Sequence, residues 1–172
     1  MGELVLRRGG ADDYGALLAL FDEAVAWMVA RGQPGQWGDR PFSERPEAQE
    51  RVREFAASPG LWIAERDGEP VGALVVGAHP PHVEPVAVPE LYVELLISSR
   101  AHAGNGIGAR LVRLARDIAV ERGGDLLRVD CWAGAPSLVA WYERQGFVRS
   151  GRFDVGGWIG QVFEMPLGDG AA

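Results

Sequence analysis

Apolar and polar positions recur with two different periods along the chain, and the switches between them mark its elements. Leu4 to Arg7 reads as a short strand closed by Gly9-Gly10. Asp12 is a candidate helix N-cap, after which Leu17, Leu20, Phe21, Val25 and Met28 follow at helical spacing until Gly32. Arg31 to Pro46 is rich in glycine and proline and predicts a loop. Ser43 or a neighbour then starts a helix that runs to about Ala57. Leu61 to Glu65 and Val71 to Ala78 read as two strands, and Asp67-Gly68 between them is a hairpin signal. A proline-rich loop, HPPHVEPVAVPE, leads to a third strand of this group, Leu91 to Ile97.

Beyond that strand Ile107, Leu111, Leu114 and Ile118 fall on one helical face, and Gly123-Gly124 ends the run. Leu126 to Trp132 is another strand, and Pro136 to Gln145 a short helix with proline in its first turn. FVRSGRF and WIGQVFEMPL form a closing antiparallel pair. This order predicts an α/β or α+β domain with a mixed sheet. Without repeats or a low-complexity linker, residues 1–167 read as one domain, followed by a frayed tail, 168–172.

Composition narrows the class further. Hydrophobic residues make up 47% and charged residues 24%, as in an ordinary globular protein. The net charge of −7 argues against a nucleic-acid partner, which needs a basic face. The single cysteine, Cys131, allows no intramolecular disulfide and suits a reducing cytoplasm. MGELVLRRGG has no long apolar core with a cleavage site, and no segment reaches the length of a membrane span. The expectation is a cytoplasmic protein without a membrane partner.

The chemistry concentrates where strand meets helix, at Gly104, Gly106 and Gly108. A glycine-rich turn at a helix start is an anion site, because the first amides lack partners and the backbone can approach a phosphate. The alternative is a tight turn whose glycines serve only its backbone angles. Arg100, Arg110 and Arg113 are near enough in sequence to add charge. The absence of Lys-Ser/Thr after the glycines argues against a nucleoside-triphosphate loop. Gly104, Gly106 and Ala109 also match the dinucleotide fingerprint, with Asp130 closing the next strand. Too little chain follows for the parallel strands that such a fold needs.

The segment AGNGIG, Ala103 to Gly108, resembles the Q/R-x-x-G-x-G/A motif of the GCN5-related N-acetyltransferases, the GNAT family. AWYERQGF, Ala140 to Phe147, is similar to that family's x-F-Y-x-x-x-G-F helix, at the expected distance and in the expected order. Ala103 stands where the family usually carries Gln or Arg, and Ala135 where it often carries Asn. The resemblance covers essentially the whole chain and implies a central, mostly antiparallel sheet, splayed at the cofactor site and flanked by helices. It implies an acetyl-CoA-dependent N-acetyltransferase that works by direct attack of a primary amine in a ternary complex.

The resemblance also distributes roles. Ala103, Gly104, Asn105, Gly106, Ile107, Gly108 and Ala109, with Arg100, would hold the cofactor's pyrophosphate. Main-chain groups of Leu95, Leu96 and Ile97 would hold its pantetheine arm and polarise the thioester. Tyr142 would protonate the leaving thiolate; the alternative is a core aromatic. Glu94, a carboxylate in an apolar strand, is the candidate base or else a solvent-facing residue, with Glu90 and Tyr92 in reserve. Trp27, Gln36, Trp37 and Tyr92 are candidates for the acceptor wall. Cys131 reads as a small buried hydrophobe. His79-Pro-Pro-His82 lacks a third ligand and predicts a loop, so no metal is expected. The acceptor would be a small-molecule or peptide amine, and a homodimer is common in the family. The alternative function is a non-catalytic acyl-CoA-binding or sensing module on the same fold.

Overall fold

Asp67 at φ 53° and Gly68 at φ 79° put both central residues of a two-residue turn in the left-handed region. That geometry matches the natural twist of a hairpin, so the turn joins two adjacent antiparallel strands, Leu61–Arg66 and Glu69–Gly77. The computed structural model describes residues 2–168. Its strands are β1 (Leu4–Arg8), β2 (Leu61–Arg66), β3 (Glu69–Gly77), β4 (Glu90–Ser98), β5 (Leu126–Trp132), β6 (Val148–Val155) and β7 (Trp158–Pro166). The helices are α1 (Tyr14–Ala30), α2 (Pro46–Ala57), α3 (Ile107–Glu121) and α4 (Pro136–Arg144). The seven strands form one open, mostly antiparallel sheet in the order β1-β2-β3-β4-β5-β7-β6, flanked by helices. The tail expected to fray lies, from residue 169, outside the described residues.

The parallel ladder between β4 and β5 runs from Glu90↔Leu126 to Val93↔Val129. Both strands continue past it, β4 to Ser98 and β5 to Trp132. Among the described residues no helix is long and apolar enough to cross a membrane.

Two helix starts differ from the sequence reading. Asp13, not Asp12, precedes α1, because a 3-10 turn at Ala11–Asp13 delays the helix. The helix expected from Ser43 starts at Pro46, a favoured first position, after a separate 3-10 turn at Phe42–Glu44.

By Cα packing the described chain divides into two compact units. One runs to Val75 and includes Leu95–Leu111. Its core joins one face of α1 (Leu17, Leu20, Phe21, Val25) to Val52 of α2, Leu61 and Ile63 of β2, and Leu95 and Ile97 of β4. The spacing of those α1 residues is the helical stripe visible in the sequence. The other unit holds Val76–Glu94 and the described residues from Val112 on. It includes a small cluster of Val83, Tyr92 and Val162 with Phe153 packed against it.

Asp13 closes the entry to α1. It accepts from Arg7 Nη2 at 2.7 Å, from Arg7 Nη1 at 3.1 Å and from the Gly10 amide at 2.9 Å. The Arg7 guanidinium holds the Asp13 carboxyl below its ordinary 3.8, against the opposing effect of burial. A depressed carboxylate adds stability above the unfolded-state value and loses it as pH falls through the folded one. Asp13→Ala therefore costs about 1–3 kcal/mol at neutral pH. In urea melts at successive pH values, the gap from wild type closes as Asp13 protonates in acid.

Candidate active site

In the first unit β4 ends at Ser98, and the chain turns through a 3-10 segment, Arg100–His102, into the glycines. Two anchors fix this turn. The Ser99 amide donates to the Val71 carbonyl at 2.8 Å. The Glu23 carboxylate, from α1, accepts from Ser99 Oγ at 3.0 Å and from the Ala101 amide at 2.8 Å.

Gly104 at φ 83° and Gly106 at φ 73° then take left-handed conformations that other residues resist. A Cβ on either would meet nothing within 4 Å, so these backbones face open space. Gly108 has no positive φ; it belongs to the first turn of α3. The first α3 hydrogen bond runs from the Arg110 amide to the Gly106 carbonyl, 3.0 Å. The amides of Ile107, Gly108 and Ala109 therefore have no intrahelical acceptor, and they sit at the positive end of a 15-residue helix dipole.

Gly72 sets how close that helix comes to β3. A Cβ there would lie 2.8 Å from Ile107 Cγ2, 3.1 Å from the Ile97 carbonyl oxygen and 3.2 Å from Leu111 Cδ1. Sequence reading missed Gly72. An isolated glycine within a strand was the available signal.

Arg100 packs its guanidinium on Trp27, 3.8 Å from the ring centroid, and Arg31 packs on the same ring at 3.9 Å. Burial and the neighbouring Arg31 lower the Arg100 pKa from its ordinary value, and Glu23 opposes them. Arg100 Nε is buried without a hydrogen-bond partner. Trp27 thus serves as a platform for two cations. Trp37 lies instead in an aromatic cluster, 5.0 Å from Phe21 between ring centroids, with its carbonyl accepting from Arg45. Gln36 is half-buried in the loop beside it. Ala103, Asn105 and Ala109 follow the turn, the first two exposed and Ala109 half-buried.

In the second unit Glu94 is the first residue of β4 past the ladder with β5. Leu91 and Val93 are buried on one face of the strand, while Glu94 opens to solvent on the other. Its carboxylate lies against Gly77, and desolvation there raises its pKa from the ordinary 4.5. The two reserve residues are engaged elsewhere. Glu90 makes a two-pronged ion pair with Arg128, at 2.9 Å to Nη2 and closer to Nε. Tyr92 is fully buried and donates its hydroxyl to Asp130.

Tyr142, on α4, is 5% exposed and ringed by Trp141, Phe147 and Phe163. Burial, with the fields of Cys131 and Asp130, pushes its phenol above the ordinary 10.0. It is therefore protonated at neutral pH. Cys131 is buried and its thiol is pushed up to about 12, far from a nucleophile's range. The His82 ring packs at a tilt against Phe153, and among the described residues no group of three or more His, Cys, Asp or Glu is placed to hold a metal ion.

Residues 19–147 match the model of the Acetyltransferase (GNAT) family. No curated protein sequence matches the chain. Among solved structures it is similar to an acetyltransferase of Listeria monocytogenes of the same family (TM-score 0.71, 17% identity, 95% of each chain covered). It is also similar to yncA from Salmonella typhimurium, solved with its cofactor acetyl-CoA (TM-score 0.66, 17% identity, 98% of this chain and 96% of that one). A ribosomal-protein-alanine N-acetyltransferase from Brucella melitensis aligns at TM-score 0.64 and 23% identity, over 95% of this chain and 99% of that one. At such identities these likenesses concern the fold.

Proposed function

Because the chain belongs to the GNAT acetyltransferase family, we propose that it moves an acetyl group from acetyl-CoA to a primary amine by direct attack in a ternary complex. One observation carries this reading: the strand–glycine turn–helix of the first unit, with left-handed Gly104 and Gly106 facing open space and three amides without intrahelical acceptors. That donor set fits a pyrophosphate, which needs several N–H groups and close backbone approach. Arg100, fixed on Trp27, carries positive charge three residues before Ala103, where the family motif would place its own polar side chain.

Acetyl-CoA supplies an acetyl thioester. The amides of Ile107, Gly108 and Ala109 hold its pyrophosphate, and main-chain groups of Leu95, Leu96 and Ile97 hold the pantetheine arm and polarise the carbonyl. Glu94 takes a proton from the acceptor ammonium, freeing the nitrogen lone pair. As the new C–N bond forms and the C–S bond breaks, Tyr142 gives its phenolic proton to the sulfur; the nitrogen's second proton passes through water to the tyrosinate, and Glu94 releases the first to solvent. The acceptor is a small-molecule or peptide amine.

Release of free thiol from acetyl-CoA, followed with a panel of amino acids, polyamines and short peptides, tests the proposal. Transfer gives amine-dependent thiol. An acyl-CoA sensor binds the cofactor and releases none. With the amine that works best, kcat/KM rises with pH through the Glu94 midpoint, since the carboxylate acts deprotonated. That midpoint lies above 4.5 because the folded protein desolvates the group.

A further inference from the structure

A glycine inside a strand gives up packing and adds flexibility to the unfolded chain, so it often marks a place where another group comes close. Gly77, the last residue of β3, is such a place. A Cβ built on it would lie 2.5 Å from Glu94 Oε2, 3.2 Å from Cδ and 3.8 Å from Oε1. The first distance is one that real Cβ atoms essentially never show. The carboxylate therefore occupies volume that the side chain of any other residue at 77 would claim. Gly77 is not among the glycines with positive φ, so its backbone angles do not call for glycine. The contact does.

We propose that Gly77 is a positioning residue for Glu94: its missing side chain is a slot that seats the carboxylate against β3 and fixes where it points. What the carboxylate then does rests on the acetyl-transfer reading; where it is held does not. Without the slot, the Glu94 side chain would stand out into water and sample several rotamers. Within it, one oxygen is turned to the strand and the group stays open to solvent.

Desolvation raises its proton affinity, and the nearby charged groups are engaged elsewhere. On β4, Glu90 is paired with Arg128 of β5, and Asp130 of β5 accepts the Tyr92 hydroxyl. β3 carries one charged residue, Glu69, at its opposite end. His79, two residues past Gly77, bonds through Nδ1 with the Pro80 carbonyl. The carboxylate seated against Gly77 is thereby placed where desolvation raises its pKa.

The test is a carbon-13 NMR titration of the Glu94 side-chain carboxyl in the wild type and in Gly77→Ala, with Glu94→Gln to assign the signal. The expected wild-type midpoint lies above 4.5. In Gly77→Ala it moves back toward that value, while the thermal shift with acetyl-CoA persists. With the best amine of the thiol-release panel, Gly77→Ala lowers kcat by about tenfold or more, leaves the KM for acetyl-CoA unchanged, and costs nothing further in a Glu94→Gln background.

A midpoint that is the same in both proteins overturns the slot. So does a kcat loss of equal size with and without the Glu94 carboxylate. If Gly77→Ala alone fails to fold, adding Glu94→Ala restores the fold, because the two side chains compete for one volume; failure to restore it also overturns the proposal. A Gly77-dependent midpoint together with a fully active Glu94→Gln upholds the slot and overturns the base.

Discussion

Gly106→Asp abolishes the thermal stabilisation that acetyl-CoA gives the wild type. A ligand bound to the native state alone stabilises it by ~2.7 kcal/mol at 100 times its dissociation constant. For a chain of this length that raises the melting temperature by roughly 5–10 °C. Gly106 is the residue whose carbonyl starts α3, and its Cα faces the open space beside the first amides. A carboxylate placed there competes for those amides and repels a pyrophosphate. Aspartate tolerates φ 73° better than most residues, and its capping of the helix offsets part of the strain, so the unliganded variant stays folded. Differential scanning fluorimetry with and without acetyl-CoA reads both effects. An undiminished shift in the variant means that the cofactor does not use this turn.

Tyr142→Phe lowers kcat by about 10²–10⁴ and leaves the acetyl-CoA affinity unchanged. Loss of the hydroxyl keeps the ring and its contacts with Phe147 and Phe163, so melting should barely move. What goes is the proton for the departing sulfur. Burial holds the wild-type phenol protonated beyond its ordinary 10.0, so the wild-type rate has no basic fall from this residue below that pH. Steady-state kinetics beside calorimetric cofactor binding separate the two parameters. A variant as fast as wild type reduces Tyr142 to a packed aromatic.

Local chemistry was legible along the chain; long-range pairing was not. Asp67-Gly68 declared its hairpin because a turn with two left-handed residues admits few sequences. The glycine run declared a tight turn at a helix start for the same reason, with Gly104 and Gly106 left-handed. The stripe of Leu17, Leu20, Phe21 and Val25 announced the buried face of α1. By contrast, Tyr92 and Glu90 offered themselves as free polar groups, and only folding brings Asp130 and Arg128, both 38 residues on, beside them. Glu23 and Ser99 are 76 positions apart, and no periodicity links them. Gly72 and Gly77 looked like ordinary glycines of an apolar strand. Their meaning appears once Ile107 and the Glu94 carboxylate stand where a side chain would be. Helix starts shifted by one to three residues because 3-10 turns at Ala11–Asp13 and Phe42–Glu44 precede α1 and α2.

The central claim is that backbone amides of the glycine turn hold the cofactor, and a nitrogen-15 amide spectrum of the wild type titrated with acetyl-CoA tests it most directly. The account predicts saturable shifts concentrated at Gly104–Ala109 and at Leu95–Ile97, with Arg100 following. Shifts confined to other residues, or none at saturating cofactor, contradict it and leave the glycines as formers of a tight turn.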